Sequence, residues 1–578
     1  MPQSPQAIQT RKRIGVLRVL FFLALFGLGM KVVDTHIRKG EFLAKKAEQD
    51  YSRSVKITGD RGRILDRNLT PLGTNIDMVN VTADPRMVQN KKATAKILAR
   101  ILGMDTQRLV QALSKKGAYA LLARNIAQDE ARKIREKNLR GIFFENSSKR
   151  FYPNREMAAQ VLGFTGWDGA GREGLEYRYN SQLSGKTIEM ERTAAGNGRY
   201  LEIDNRKKAE LAGNSLVLTL DKQIQFLTEK TLENTVKTHR AKSGMALVLR
   251  PATGELLAVA HYPAFNPNTE VDYKQGLWRN RAATDAFEPG SAMKVFTVAA
   301  ALEKGLTPNT LFNCENGKYR VGRYTIKDTH AYEILNMRRV IQVSSNIGSA
   351  KMAEIIGPKA LHQYLTRFGF GKKPGSGSPG ETAGTLAPYS QWAQIDLDAI
   401  AFGQGIAVSA IQLIAGMGAI ANDGVFMKPM LIKKIISRTG EDVKVFNPEN
   451  LGRVISTDTA REVKTMMAMA VDDEGTGPKA RLDGYPVCGK TGTAQKTAKG
   501  QKGYLKNRYT SVFAGFAPKD QPRLAALVVV DEPRNKYYGG DVAAPAFKTI
   551  MAQSFNYLNI PPAEPRQMVA TLTQGEHP

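Results

Sequence analysis

Ser291 and Lys294 lie three residues apart in the stretch Phe287-Glu288-Pro289-Gly290-Ser291-Ala292-Met293-Lys294. That spacing brings a hydroxyl and an amine to one face of a helix. Serine is a weak nucleophile until a neighbouring base removes its proton. A desolvated lysine can be that base, because burial favours the neutral amine. The chemistry such a pair supports is nucleophilic attack by the serine oxygen. Pro289-Gly290 makes a turn ahead of the pair. Val295, Phe296, Val298, Ala299 and Leu302 continue as a helical apolar face, with Gly305 placed to stop it. Ser291 then stands near a helix N-terminus, where unpaired N–H groups and the positive dipole end favour a developing oxyanion. By itself the pair is a weak signal, since a helix N-cap followed by a solvated lysine has the same spelling.

Two later stretches carry matching chemistry. Ser344-Ser345-Asn346 stands in a turn before a helical run. A hydroxyl and an amide two residues apart can reach one cleft from a loop, and the plainer reading is an N-cap. Lys490-Thr491-Gly492-Thr493 follows residues 485–488, which read as a strand. Glycine there permits close approach of a ligand backbone, and Lys490 with the hydroxyls of Thr491 and Thr493 suits a carboxylate. The same segment, from Gly484 to Thr491, also spells the phosphate-binding pattern G-x-x-x-x-G-K-[ST]. Residues 524–530 followed by Asp531-Glu532 look like the magnesium-binding strand of such ATPases. Context argues against that competitor. Residues 478–483 are polar where an apolar strand is required, and Gly492 and a Lys/Gly-rich run follow where a helix is required.

The elements that must hold these motifs are legible in outline. Residues 244–250 and 255–261 are apolar runs across a Pro/Gly turn, and residues 510–516 and 523–530 repeat the pattern, so each pair reads as a hairpin. Helices are expected at 360–368, 406–421, 458–471 and 543–558. Hairpins at both ends with helices between predict an antiparallel sheet packed by helices. Upstream, residues 78–83 alternate like a strand, 93–102 and 107–115 read as amphipathic helices, and 157–162 as a further helical segment. Residues 61–68, 150–153 and 171–176 combine Gly turns with Arg and carboxylate residues, which fits a structural module held by ion pairs. Residues 205–213 read as a linker and 561–578 as a disordered tail.

The chain has 578 residues, 42% of them hydrophobic and 24% charged, enough for several domains with buried cores. A net charge of +29 points to an acidic partner, either nucleic acid, anionic lipid or an anionic polymer. No nucleic-acid-binding motif supports the first of these. Cys314 and Cys488 are the only cysteines, so a disulfide framework is excluded while one bridge or two free thiols remain open. The six histidines show no metal-ligand spacing. Residues 14–33 form an apolar run of membrane-spanning length, preceded by Arg11, Lys12 and Arg13. The positive-inside rule places the N-terminus in the cytoplasm. No small-residue cleavage site follows the run, which favours an uncleaved anchor over a signal peptide.

Taken in order, Ser291-x-x-Lys294, Ser344-x-Asn346 and Lys490-Thr491-Gly492 are the set found in penicillin-binding proteins and class A β-lactamases. The chain resembles the class B penicillin-binding proteins, and the resemblance covers nearly everything after the anchor. Residues 61–68, 150–153 and 171–176 look like that family's non-catalytic pedestal. Phe402-Gly-Gln-Gly405, Gly475-Thr-Gly477 and Tyr538-Gly-Gly540 match it too, and the phrase between Phe151 and Glu176 is most similar to its septal members.

The resemblance implies an α+β chain. Its parts would be a cytoplasmic tail (1–13), a transmembrane helix (14–33), an elongated pedestal of the dimerisation type (34–212), a transpeptidase domain (213–560) and a tail (561–578). It implies a peptidoglycan D,D-transpeptidase at the division septum, with no cofactor and no metal. Ser291 would attack the penultimate D-alanine carbonyl of a stem peptide and Lys294 would take its proton. Ser344 would relay that proton to the leaving amine and Asn346 would orient Lys294 and the donor amide. Lys490 would keep the pocket positive, Thr491, Gly492 and Thr493 would line the carboxylate site, and the N–H groups of Ser291 and Thr493 would form the oxyanion hole. β-Lactams would acylate Ser291. Position 345 is Ser where β-lactamases carry Asp, and no deacylating glutamate can be placed near the cleft, so a long-lived acyl-enzyme is expected. The implied setting is the inner membrane in a single pass, with the catalytic domain in the periplasm. The implied partners are an FtsW-type glycosyltransferase and divisome proteins, and nucleic acid is not among them. An elongation-type transpeptidase and a non-catalytic β-lactam or peptidoglycan sensor are the rival readings.

Overall fold

The computed structural model describes residues 5–38, 40–42, 52–193, 210–269, 276–497 and 503–562. The tail from 563 and residues 205–209 of the expected linker 205–213 lie outside them. The chain divides into two units, Met1–Gly59 with Gly185–Ala212 and Asp60–Ser184 with Gly213–Pro578.

The first unit opens with the helix Pro5–Val33 and a wider helical turn, Asp34–Arg38. Within them Arg13–Ile37 is long and apolar enough to cross a membrane. Phe21, Phe22, Phe26 and Leu28 are exposed in this segment. A row of exposed aromatic and aliphatic side chains is what a lipid-facing helix presents. The unit also holds an antiparallel pair, Ser52–Thr58 against Thr187–Thr193.

The second unit is built on two sheets. The five-stranded sheet runs Cys488–Thr497, Tyr504–Ala517, Leu524–Asp531, Ser243–Arg250, Glu255–Tyr262, antiparallel throughout. Both expected hairpins are here, paired through the contact of their second and first strands. The unbroken apolar runs are explained by burial on both faces. Met245, Leu247, Leu249, Leu527 and Val529 enter the core with Phe296 and the wholly buried helix Ala410–Ala421. Ala246, Val248, Val528 and Val530 face the opposite core with Leu232 and Val236 of Lys222–Thr238 and Phe547 and Phe555 of Ala544–Tyr557. Adjacent residues of one strand thus serve different cores, the period of two that strand geometry imposes.

Three boundaries differ from the sequence reading, each for a local reason. The helix expected at 406–421 starts at Ala410, because Val408–Ser409 pairs with Ala286–Phe287 and Ser409 caps the helix with Gln412. The helix at 360–368 is the second half of Asn346–Arg367, bent where Gly357 (φ +77°) precedes Pro358. The strand expected at 485–488 begins only at Cys488 and continues to Thr497, so Lys490-Thr491-Gly492-Thr493 lies within it. Pro486 cannot donate to a ladder, which delays the start.

The seven-stranded sheet crosses the boundary expected at 212/213. Ser215–Leu218 runs parallel to Ile64–Leu65 on one side and antiparallel to Ile432–Ile436 on the other. Pro71–Ala83, Ala120–Ile126 and Ile142–Phe151 complete it with Asp442–Val445. The three Gly/Arg signatures meet beside it. Glu176 accepts from Arg61 Nε and Arg150 Nε at 2.6 Å each, and from the Tyr152 hydroxyl at 3.2 Å. Its side chain is 0% exposed.

Candidate active site

Ser291 sits in the tight turn Gly290–Met293, and the α-helix Lys294–Glu303 follows directly. The helix stops as its sequence requires: Gly305 (φ +90°) and Leu306 donate back to Leu302 and Ala301. Ser291 is half-buried, whereas Lys294 is 0% exposed. The turn is held from two sides. Gly290 donates to Gly403 O at 3.1 Å, which brings in the Phe402-Gly-Gln-Gly405 loop. On the other side Gly290, at φ +55°, lies against the main chain of Thr493; a Cβ there would stand 3.1–3.2 Å from the Thr493 backbone. The edge strand and the serine turn approach this closely because glycine has no side chain. Glu288 adds a tie, accepting from Gly405 N at 3.0 Å and the Tyr504 hydroxyl at 3.4 Å.

Ser344 and Asn346 come from the N-terminal end of the helix Asn346–Arg367. The N-cap is Ser345, whose Oγ accepts from Gly348 N at 2.9 Å, so the plainer reading of this motif holds for its middle residue. Ser344 is left in the left-handed region at φ +62°, a conformation that costs a non-glycine residue about 1 kcal/mol or more and that clusters at functional sites. Held this way, its hydroxyl meets two lysines. Lys490 Nζ donates to Ser344 Oγ at 2.9 Å, and Lys294 Nζ lies 3.2 Å from the same oxygen. Lys294 also donates to Ser344 O at 2.5 Å and to Asn346 Oδ1 at 2.7 Å. Residues spread over two hundred positions thus meet around one hydroxyl, a few ångströms across.

Lys490 is 0% exposed on the edge strand Cys488–Thr497. Thr491 and Thr493 follow it on the same strand, and Lys490 Nζ donates to Thr491 Oγ1 at 3.3 Å. Thr491 Oγ1 lies 2.8 Å from Thr476 Oγ1, and Thr493 Oγ1 accepts from Gly539 N at 3.1 Å. Gly492 lets the strand pass Pro289 O, which a Cβ would meet at 2.5 Å. No helix follows Lys490, so the phosphate-loop competitor lacks the element it needs.

Two buried amines around one hydroxyl favour neutral forms. Burial, and then the charge of Lys490, push Lys294 well below the ordinary lysine value, with Asp328 opposing. Burial pushes Lys490 down to about 7. Near neutral pH Lys490 is therefore a titrating group, where the sequence reading expected a steady positive charge. A neutral Lys294 keeps two N–H bonds for Ser344 O and Asn346 Oδ1 and leaves its lone pair free for a proton.

The structure adds residues that spacing did not reveal. Asp328 Oδ1 accepts from Asn346 N at 2.5 Å and Ile347 N at 3.2 Å, and Oδ2 accepts from Ser345 Oγ at 2.5 Å. Lys327 O accepts from Asn346 Nδ2 at 2.8 Å. No local signal marks these, since they act across a loop; Thr476 was visible only as part of a Gly-Thr-Gly phrase. Cys314 and Cys488 are both free and buried. Cys488 packs below the edge strand with its thiol pushed up to about 12 by burial.

The chain is similar to known proteins over most of its length. A family model described as the penicillin binding protein transpeptidase domain matches residues 244–552, and one described as the penicillin-binding protein dimerisation domain matches residues 56–218. The probable peptidoglycan D,D-transpeptidase PenA of Neisseria meningitidis is 34% identical, over 92% of this chain and 90% of its own. The peptidoglycan D,D-transpeptidase FtsI of Escherichia coli is 33% identical over 95% and 92%. Stage V sporulation protein D of Bacillus subtilis is 32% identical over 95% and 87%. The crystal structure of penicillin binding protein 3 from Mycobacterium tuberculosis, complexed with aztreonam, is similar with a TM-score of 0.69 and 28% identity, covering 88% of this chain and 99% of that one.

Proposed function

Because the chain belongs to the class B penicillin-binding proteins, the peptidoglycan D,D-transpeptidases, we propose that it cross-links stem peptides through an acyl-enzyme on Ser291. The observation that carries the reading is the meeting of Lys294 and Lys490 at the Ser344 hydroxyl, with Lys294 also donating to Asn346 Oδ1, beside the serine turn. Ser291 Oγ attacks the carbonyl carbon of the penultimate D-alanine while its proton passes to Lys294 Nζ. The developing oxyanion is held by the N–H groups of Ser291 and Thr493, whose main chains lie alongside each other at Gly290. The C–N bond to the terminal D-alanine breaks. Its amine takes the proton from Lys294 through the Ser344 hydroxyl. Thr491, Gly492 and Thr493 receive the terminal carboxylate, opposite a charged Lys490. The amine of a second strand then attacks the ester and restores the serine hydroxyl.

The same reading makes Ser291 the site of β-lactam acylation, with slow release. It places the enzyme at the division septum, with the helix Pro5–Val33 as a single-pass inner-membrane anchor and the catalytic unit in the periplasm. The pedestal phrases and Arg11, Lys12 and Arg13 support those two points. An FtsW-type glycosyltransferase is the proposed membrane partner. The divisions at 34, 213 and 561 belong to this proposal as well.

The test is acylation by a fluorescent penicillin, with intact mass, on wild type and Ser291→Ala. A single adduct on Ser291, absent from the variant, is expected. A folded wild type that forms no adduct turns the reading towards a non-catalytic sensor. Side-wall rather than midcell localisation turns it towards the elongation machinery.

A further inference from the structure

We propose that Asp328 is a positioning residue for the Lys294 base: it holds the turn that carries Ser344 and Asn346, and its charge sets how readily Lys294 takes a proton. The inference rests on the Ser291–Lys294 reading above and deepens it.

The geometry starts from the hairpin Lys318–Val321 with Tyr324–Lys327, which delivers Asp328 to the end of the helix Asn346–Arg367. One carboxylate oxygen accepts from the first two N–H groups of that helix, at 2.5 and 3.2 Å. The other accepts from the Ser345 hydroxyl at 2.5 Å. A carboxylate at this place meets unpaired N–H groups and the positive end of the helix dipole. Ser345 Oγ must then point its proton at Asp328 and use a lone pair for Gly348 N, so its rotor is fixed. The next link is Lys327 O, which accepts from Asn346 Nδ2 at 2.8 Å. That bond orients the amide, leaving Oδ1 to receive Lys294 Nζ at 2.7 Å. The segment 327–328 therefore decides where both partners of the base stand, including the left-handed Ser344.

The hydrogen bonds that Asp328 accepts come from main-chain N–H groups and a hydroxyl, so its negative charge also acts through space. Two charged groups bear on Lys294 from the elements packed around it. Lys490, on the edge strand, disfavours the ammonium, and Asp328 favours it. Cys314 and Tyr332 also face Asp328; burial first, and the Asp328 charge with it, holds their protons on, while Arg339 opposes it at Tyr332. Without Asp328 the balance at Lys294 passes to burial and Lys490, and the amine becomes a weaker base.

The test uses the full chain in detergent and two readouts. The first is the titration of Lys294, followed by the 13Cε signal of labelled lysine and assigned by its loss in Lys294→Arg. The second is the pH profile of acylation by fluorescent penicillin. Asp328→Asn removes the charge at near-constant shape, Asp328→Ser is a second neutral variant should the amide not be accommodated, and Asp328→Glu restores the charge. Both neutral variants are expected to lower the Lys294 midpoint by about 1 pH unit or more. The acid limb of acylation should move to lower pH by the same amount, and the rate at its plateau should fall about tenfold, as for a weaker general base. Asp328→Glu should return the midpoint towards wild type. An unmoved midpoint in a folded neutral variant overturns the proposal, as does a lower plateau with the limb in place, which is what a merely structural role gives. The titration is read with no penicillin present. A wild type that is not acylated at Ser291 therefore sinks the catalytic reading, whereas an unmoved midpoint sinks this one.

Discussion

Around Glu176 one carboxylate accepts from Arg61 and Arg150 at 2.6 Å each, whereas around Ser344 two amines, Lys294 and Lys490, meet a single hydroxyl. Both clusters are buried in the same unit, yet they use burial in opposite ways. In the first, each guanidinium is permanently charged and has an anion in contact. Low dielectric strengthens that attraction, and nothing there gains from losing a proton. In the second, the hydrogen bonds of Lys294 and Lys490 among the described residues go to hydroxyls, an amide and main-chain oxygens, and no carboxylate is among their partners. Desolvation is then left uncompensated and the neutral amine is favoured. The lesson is that burial with a counter-ion builds a joint, and burial without one builds a proton carrier.

Moving a fixed cation into the proton carrier should have the largest effect. Lys294→Arg keeps the charge and the reach but cannot release a proton, so penicillin acylation should fall by about 10²–10⁴-fold, the range for loss of a general base. Circular dichroism should still report a folded chain. A variant acylated at the wild-type rate would show that a titrating amine is not needed at this position.

Taking the counter-ion out of the joint should cost stability instead. Glu176→Gln leaves two buried guanidinium groups without their anion, and urea unfolding should show a loss of about 3–5 kcal/mol. The acylation rate of the folded fraction should not change. A loss of rate with unchanged stability would mean that the two clusters are coupled.

Lys490→Arg sharpens the contrast within the catalytic cluster. Lys490 is charged below about 7 and neutral above it. If its charge receives the substrate carboxylate, wild-type acylation should decline as pH rises through that value. The arginine variant should keep its lower rate across the same range, and an identical decline in both proteins would assign the limb to another group.

Glu229 lies between the two cases and should give the smallest effect. It accepts from Ala158 N and Gln225 Nε2, both at 2.7 Å, and burial pushes it up to about 7. Dipoles assist it, but the charge has no cation in those contacts. Its folded-state value is raised, so the stability it confers is complete at low pH and is lost as pH rises through about 7. Glu229→Gln should therefore raise the melting temperature more at pH 8 than at pH 5, and an equal change at both would contradict the sign.

The strands 243–250, 255–262 and 524–531 and the helices around them were legible, because a run of apolar residues with strand or helix period can bury itself in few ways. The pairs Ser291/Lys294 and Ser344/Asn346 were legible as candidates for a related reason: short spacings on one element translate directly into shared faces. Asp328 was not legible. It reaches the site through three hydrogen bonds across a loop, and no spacing encodes them. The sheet that runs past 212/213 was hidden in the same way, since the pairing of Ile64–Leu65 with Ser215–Leu218 joins segments far apart in the chain.

What the sequence by itself determined, then, is the set of reactive groups and the local elements that carry them, because side-chain chemistry and backbone periodicity are properties of short stretches. Only the tertiary structure decided that Lys294 and Lys490 share one hydroxyl, that Ser344 is held at φ +62° and that Cys314 and Cys488 stay apart as free thiols. Proton affinity depends on what surrounds a group in three dimensions, and the desolvation that turns a lysine into a base exists only once distant segments have closed over it.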